Sequence, residues 1–212
     1  MISALLLLPF LQEKFPAEDH PWLRFKTGTS VRSLITIQDG DRVDQGIQTL
    51  TLKERDGEKY AIEEESTLSL GPKTINRTAA AAKTGKGIVT VDGKPLTCAV
   101  WTATGERDGR PTETCYWIPE GQKNPARVTF RQDGVEGDLK AVSLNESLKV
   151  ADRAYACVKL EGTIRTPRGK GPATIWTSHE IPGAQVRMDL TLETPTGKVA
   201  FKVEAFEVKE NP

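Results

Sequence analysis

The sequence contains few of the residues from which reactive or metal-binding sites are built. Its 212 residues include two histidines and three cysteines, and the cysteines form no C-x-x-C pair. That spacing argues against a zinc ribbon or a thioredoxin-like site. We therefore predict no metal site, and no glycine-rich motif indicates a nucleotide or any other cofactor.

The chain also lacks net charge and any hydrophobic run long enough to cross a membrane. Lysine plus arginine and aspartate plus glutamate both total 29. Because a neutral chain is not attracted to nucleic acid as a whole, we predict no nucleic-acid partner. The apolar run from Ile2 to Leu11 has ten residues, whereas a transmembrane helix needs about 20, so we predict no transmembrane segment.

This short apolar run at the start of the chain is typical of a signal-peptide core. We predict that residues 1–12 are a signal peptide, that residues 13–21 are a polar leader or linker, and that residues 22–212 form a single β domain. The protein would then be exported to the periplasm or the cell exterior. The alternative is that the run is a buried first strand or helix.

Short runs of alternating apolar and polar residues, separated by turn residues such as Asp-Gly, predict an antiparallel β domain. The predicted strands run from Val31 to Gln38, Gln45 to Glu54, Lys59 to Ser66, Ala126 to Arg131, Val186 to Glu193 and Val199 to Val208. In the last strand the apolar positions change phase, which indicates a β-bulge near Glu204 and Ala205.

Residues 70–88 interrupt the strand pattern with four consecutive alanines. Thr74 or Asn76 would serve as an N-cap, so the segment predicts one short helix or an ordered loop, and the alternative is a mobile insertion. We expect the alanine run, from Ala79 to Ala82, to cover the open face of the sheet.

Two parts of the chain carry matching residues at a constant separation. Cys98 and Cys157 are as far apart in the sequence as Trp117 and Trp176. We therefore predict an internal duplication of residues 91–149 and 150–208, each copy a meander of about four strands. With the N-terminal hairpins, this predicts an all-β fold with minor α content. The expected architecture is a strongly curved antiparallel sheet or incomplete barrel of roughly 10–12 strands.

Two motifs give the chain a family resemblance: an early Trp-x-x-Phe-x-x-Gly-x-x-Val, and a later Trp followed by Ile-Pro-Gly. It resembles exported bacterial proteins of uncharacterised function, common in planctomycete-type genomes, over most of its length after residue 20. The resemblance implies an open barrel like that of periplasmic lipoprotein carriers, and it implies no activity and no site residues. The matching residues are Trp22, Phe25, Gly28, Val31, Trp176, Ile181, Pro182 and Gly183.

Three functional hypotheses follow. The first is an exported, non-enzymatic domain that binds an apolar or amphipathic small molecule or lipid, or an envelope protein, in the concavity of its sheet. The second is a structural or adhesive module of the cell envelope. The third, ranked below both, is a hydrolase using His179 or Glu180. Because Ser178, His179 and Glu180 are adjacent, they would point to opposite sides of an extended run, and we assign no catalytic residue.

Aromatic residues and cysteines supply the remaining candidates. Four aromatic residues are expected either to pack in the core or to face the ligand: Trp101, Tyr116, Trp117 and Trp176. A hairpin turning near Glu106 and Arg107 would place Cys98 opposite Cys115, which predicts a Cys98–Cys115 disulfide with Cys157 free. A Cys98–Cys157 bond is the competitor, and a turn at Asp108-Gly109 would instead separate Cys98 from Cys115. The alternation around Cys157 predicts that Cys157 and Cys98 point away from the core.

Overall fold

The computed structural model describes residues 14–68, 74–79 and 81–211, and these residues form an all-β fold without a helix. None of them therefore belongs to a helix that could cross a membrane. The strands are β1 (Ser30–Asp39), β2 (Arg42–Asp56), β3 (Lys59–Ser66), β4 (Thr74–Ala79), β5 (Ala82–Val91), β6 (Lys94–Arg107), β7 (Arg110–Pro119), β8 (Arg127–Gln132), β9 (Val135–Val150), β10 (Arg153–Thr166), β11 (Gly169–Thr177), β12 (Gln185–Thr194) and β13 (Gly197–Lys209).

The predicted strands are confirmed, because each coincides with an observed strand to within a few residues. Tight two-residue turns join many of them, and three Asp-Gly turns have positive φ at both positions, as a type I′ hairpin requires. The predicted bulge is present in β13. There Ser33 pairs with Ala205 and Arg32 with Glu207, which leaves Phe206 without a partner and shifts the phase of the strand.

The sheet closes into a barrel, so the prediction of an open or incomplete barrel is wrong. Neighbouring strands pair antiparallel in the order β4-β3-β2-β1-β13-β12-β11-β10-β9-β8-β7-β6, and β4 then pairs with β6 to complete a ring of twelve. Three residue pairs make this closure, from Asn76 opposite Arg107 to Thr78 opposite Gly105. The other end of β6 pairs with β5, the thirteenth strand, which lies outside the ring.

The predicted helix in residues 70–88 is also wrong, because the described residues of this range, apart from Ala81, belong to strands β4 and β5. The helix propensity of alanine is a weak local preference, and here it is outweighed by backbone pairing with β3 and β6. Gly85 and Gly87 lower the helix propensity of the second half of the segment further. The ring is closed by Asn76, Arg77 and Thr78, so the expected open face is absent from the described barrel. Ala79 pairs with Lys59 of β3, and Ala82 pairs with Thr102 of β6.

The segment from Lys14 to Thr29, which precedes β1, packs against the barrel. The backbone N–H of Phe15 donates to the carbonyl of Ala81 at 2.8 Å, and the Phe15 ring meets Trp101 edge-on at 5.2 Å. Farther along, Trp22 and Leu23 are buried. The part of the chain predicted to be a leader or linker therefore contributes side chains to the interior.

The residues of the Trp-Phe-Gly-Val and Ile-Pro-Gly motifs have structural roles. Trp22, Phe25, Val31 and Ile181 belong to one buried cluster, with Trp176 packed against it. Gly183 has a φ of +78°, and a Cβ there would approach the Trp22 ring to 3.0 Å. The two motifs therefore join the N-terminal segment to the loop between β11 and β12.

The two parts of the predicted duplication contain strands at matching positions. Strands β6 and β10 begin, and also end, at the same spacing in the sequence as Cys98 and Cys157. The starts of β7 and β11 are separated by this spacing as well. Trp117 lies opposite Val100 and Arg127, while Trp176 lies opposite Lys159 and Arg187. The duplication itself stays a prediction that superposition of the two copies would test.

Substitution of Gly105 should weaken the closure of the barrel. A Cβ at this position would lie 2.4 Å from the carbonyl oxygen of Arg77, inside the β4–β6 pairing. We expect Gly105→Ala to lower the free energy of unfolding by about 1–3 kcal/mol, measured by urea denaturation. Gly85→Ala is the matched control, because a Cβ there meets nothing within 4 Å. Equal stability of the two variants would contradict the closure.

Candidate functional site

Two cavities lie side by side within the barrel. One, of about 320 Å³, borders the inner faces of β7 to β12, and the other, of about 340 Å³, borders β1 to β4 and β6 to β8. Both lie at the lower end of the range of small-molecule sites, which is roughly 300–1,000 Å³. They share five lining residues: Thr114, Tyr116, Gln132, Gly183 and Gln185.

The first space, here called the apolar cavity, has a hydrophobic wall. Alternate residues of successive strands supply it, because every second side chain of a strand points inward. Polar groups come from the N-terminal segment and from the loops after β7 and β11. The apolar side chains are Phe15, Ile118, Val128, Phe130, Leu139, Leu160, Ile164, Ile175 and Met188, and the polar ones outside the shared set include Asp19, His20, Lys123, Asn124, Thr177 and His179.

The second space, here called the polar cavity, contains a hydrogen-bonded charge pair. Glu64 accepts from Arg107 at 2.8 Å and from the Gln48 amide at 2.7 Å. Asn76 Oδ1 is buried there and has no partner among the described residues. Burial raises the pKa of Tyr60 and of Tyr116, so both phenols stay protonated.

His20 holds the N-terminal segment in its turn. Its Nδ1 accepts hydrogen bonds from the backbone N–H groups of Trp22 and Leu23, each at 3.1 Å. Its ring meets Tyr60 edge-on at 5.1 Å. Burial lowers the pKa of His20 to about 4, and the two accepted hydrogen bonds also require an unprotonated Nδ1. The imidazole is therefore neutral at physiological pH.

Two buried polar atoms of the apolar cavity have neither a hydrogen bond nor an ion pair in the described part of the chain. They are Thr177 Oγ1, on a residue that is 9% exposed, and His179 Nδ1. Burial, followed by the charge of Arg24, lowers the pKa of His179 and favours its neutral form. An unpaired buried polar atom costs about 1–3 kcal/mol, so a ligand that satisfied these atoms would gain affinity.

The four aromatic candidates separate into two pairs. Tyr116 lines both cavities, and its cross-strand neighbour Trp101 is buried against Phe15. Trp117 and Trp176 line neither cavity. The guanidinium of Arg127 lies 4.6 Å from the Trp117 ring, and that of Arg187 lies 4.9 Å from the Trp176 ring. The alternation of strand residues turns these two tryptophans away from the lumen.

The predicted Cys98–Cys115 disulfide is not formed, and all three thiols are free. The β6–β7 turn is at Asp108-Gly109, so Cys98 lies opposite Pro119 while Cys115 lies opposite Thr102. The two cysteines are thus offset by four residues, about 13 Å along the strands, which no disulfide spans. Cys98 and Cys157 are fully buried, which contradicts the prediction that they point away from the core.

The Ser178-His179-Glu180 run is not arranged as a nucleophile with its base. Ser178 is fully buried, and its Oγ accepts a hydrogen bond from the backbone N–H of Glu180 at 3.4 Å. The Glu180 carboxylate pairs with Arg153 at 2.7 Å. Of the three residues, His179 lines the apolar cavity.

Sequence reasoning missed Thr177 and His20 as cavity residues. Thr177 ends β11 and points inward, as Ile175 does two residues earlier. A polar residue at the inward position that ends an apolar strand face was therefore the signal in the sequence for a cavity residue. His20 lay in the segment predicted to be a leader, and only the fold shows that it is buried.

The neutral state of His20 predicts a pH-dependent stability. The unfolded chain binds a proton near pH 6.5 and the folded chain near pH 4, so the free energy of unfolding should fall as the pH falls through this window, by about 3 kcal/mol. His20→Asn offers an acceptor that does not titrate. Urea denaturation between pH 7 and pH 4 should show a shallower decline for this variant, and identical declines would contradict the assignment.

The burial of two cysteines predicts unequal thiol reactivity. Burial raises the pKa of Cys98, and raises that of Cys157 to about 11, so both should react slowly with a disulfide reagent. Cys115 is half-buried and should react first. We expect one fast thiol in the folded protein and three after denaturation without reductant. Fewer than three thiols after denaturation would indicate a disulfide.

The chain was compared with known proteins. No protein-family model matches it, and no curated protein matches it. Among solved structures, it is similar to a protein from Bacteroides fragilis described as a candidate exported protein with a YmcC-like fold. The two chains are 14% identical, the match covers 94% of this chain and 100% of the other, and the TM-score is 0.40.

Proposed function

We propose that the protein is an exported, non-enzymatic β-barrel that binds an apolar or amphipathic small molecule or lipid inside its lumen. The observation that carries this proposal is the apolar cavity of about 320 Å³, which the barrel wall and the N-terminal segment enclose together. Burial of an apolar ligand surface there would contribute about 25 cal/mol for each Å² removed from water.

The distribution of polar groups favours an amphipathic ligand. Inward residues of β8, β10 and β12 make the wall apolar, while Thr177, His179 and Gln185 bring polar groups to the end formed by the β11–β12 loop. Sites that bind small molecules combine an apolar lining with a few placed polar groups in this way. A ligand with an apolar body and a polar end would contact both regions.

The state of the charged groups supports binding instead of catalysis. In the apolar cavity Lys123 pairs with Asp19 at 2.7 Å, and in the polar cavity Arg107 pairs with Glu64. The buried imidazole of His20 is engaged as an acceptor through Nδ1. A general base or nucleophile needs a free atom aimed at a substrate, whereas these carboxylates are paired with cations and His20 Nδ1 is bonded to the backbone. His179 Nδ1 is unpaired, but neither Thr177 Oγ1 nor Ser178 Oγ is hydrogen-bonded to it as a nucleophile would be.

An envelope protein partner is the second candidate. In the described part of the chain, β5 lies at an end of the sheet, pairs with β6, and carries Ile88, which is 73% exposed. A strand edge with an exposed apolar residue can accept a strand from a partner. Export itself rests on the apolar run from Ile2 to Leu11, which lies outside the described residues.

Blocking the apolar cavity should abolish binding of a small apolar probe. We expect N-phenyl-1-naphthylamine to bind the wild-type protein with an increase in its fluorescence. Val128 lines the cavity on β8, so Val128→Trp should fill it and weaken probe binding at least tenfold. Fluorescence titration measures the affinity.

Thr129→Trp is the matched control, because the next residue of β8 lines neither lumen cavity. It should bind the probe as the wild type does. Ile175→Trp adds the same bulk from β11 and guards against a folding defect of the first variant. If the wild type binds no probe, or if all three variants bind it equally, the lumen is not a ligand site, and a protein that only docks a partner would give that result.

A further inference from the structure

We infer that the polar end of the ligand is an uncharged group that both donates and accepts hydrogen bonds, as a hydroxyl does, and that Thr177 and His179 bind it. This inference rests on the proposed function and names the class of ligand: a long-chain alcohol or a lipid with a neutral hydroxyl head group, instead of a fatty acid or an amine.

Two unpaired side-chain atoms of the apolar cavity match a hydroxyl group. Thr177 Oγ1 and His179 Nδ1 are buried, both residues line the apolar cavity, and neither atom has a partner in the described ranges. A threonine hydroxyl can donate one hydrogen bond and accept others, and a neutral imidazole nitrogen donates or accepts according to its tautomer. A hydroxyl on the ligand matches this pair, because it can accept from one group and donate to the other.

Neighbouring contacts fix the backbones of the two residues while leaving these side-chain atoms without a partner. The backbone N–H of His179 donates to Asn124 Oδ1 at 2.7 Å, and its carbonyl accepts from Arg24 at 3.2 Å. Thr177 pairs with Val158 and with Gln185 through the strand ladders. The backbones are therefore held on several sides, which presents both side chains in a defined position.

The described lining of the apolar cavity offers no unpaired charge to a charged head group. The charged side chains that line the cavity are Lys123 and Asp19, and they pair with each other at 2.7 Å. Just outside it, Glu180 pairs with Arg153. His20 is neutral, and burial favours the neutral form of His179. Arg24, which donates to the His179 carbonyl at 3.2 Å and lies 5.3 Å from the Phe25 ring, does not line the cavity. A charged head group inside the cavity would therefore lose its hydration without contacting an unpaired counter-ion in the cavity lining, whereas a neutral hydroxyl loses far less.

Three ligands with the same ten-carbon chain separate the head groups. Decanol, decanoate and decylammonium are titrated at pH 8 against N-phenyl-1-naphthylamine bound to the wild-type protein. We expect decanol to displace the probe at least tenfold more strongly than either ion. Thr177→Val, which removes the hydroxyl, should weaken decanol binding about fivefold. Its effect on the affinity for the probe, measured separately by direct titration, should be smaller, because the probe carries no hydroxyl.

Two further variants control for shape and position. Thr177→Ser keeps the hydroxyl and should keep the wild-type affinity for decanol. Thr174→Val makes the same chemical change on β11 at a residue that lines neither cavity, and it should have no effect.

The outcomes separate this inference from the proposed function. If decanoate or decylammonium displaces the probe as well as decanol does, or if Thr177→Val leaves decanol binding unchanged, the assignment of the head group is overturned while the lumen remains a ligand site. If the wild type binds neither probe nor decanol, the proposed function fails and the inference fails with it.

Discussion

A ring of twelve strands is wider than its own inward side chains can fill, since a barrel of about eight strands already has an interior just large enough for them. The remaining features of this protein follow from that constraint. The segment before β1 is drawn against the barrel, where Phe15, His20 and Trp22 occupy part of the interior. What they leave unfilled is divided into the apolar and polar cavities.

The division of the interior follows the order of the strands around the ring. The wall formed by β8 to β12 carries leucine, isoleucine, valine and methionine at inward positions, while β2, β3 and β6 bring Gln48, Glu64 and Arg107 inward. Tyr116 stands at the boundary and lines both spaces. Because removing a charge from water is costly unless it is paired, the partly buried Glu64 and Arg107 form an ion pair. Among the described residues, the apolar wall contains no such pair and stays free to contact a ligand.

The strands were predictable because alternation and Asp-Gly turns are local properties of a sequence. Closure of the barrel was not predictable, since it depends on three residue pairs between β4 and β6, which are distant in the sequence. The alanine run that follows β4 has a local preference for helix, which pointed away from strands in this segment. The disulfide prediction was wrong because the β6–β7 turn lies at Asp108-Gly109, slightly later than predicted. This shift in register gives Cys98 and Cys115 different cross-strand partners from those predicted. Tyr116 was predicted as a candidate from its residue type alone, whereas the unpaired state of Thr177 exists only in three dimensions.

The most direct test uses the composition of the chain, which has two methionines, Met1 and Met188. Met188 lines the apolar cavity, so a carbon-13 label on the methionine methyl group places a reporter at the proposed site. Titration with decanol should shift the Met188 resonance in a saturable way, and Val128→Trp should abolish that shift. Saturable binding of decanol that leaves the Met188 resonance unchanged, or binding of neither decanol nor N-phenyl-1-naphthylamine, would contradict a ligand site inside the barrel.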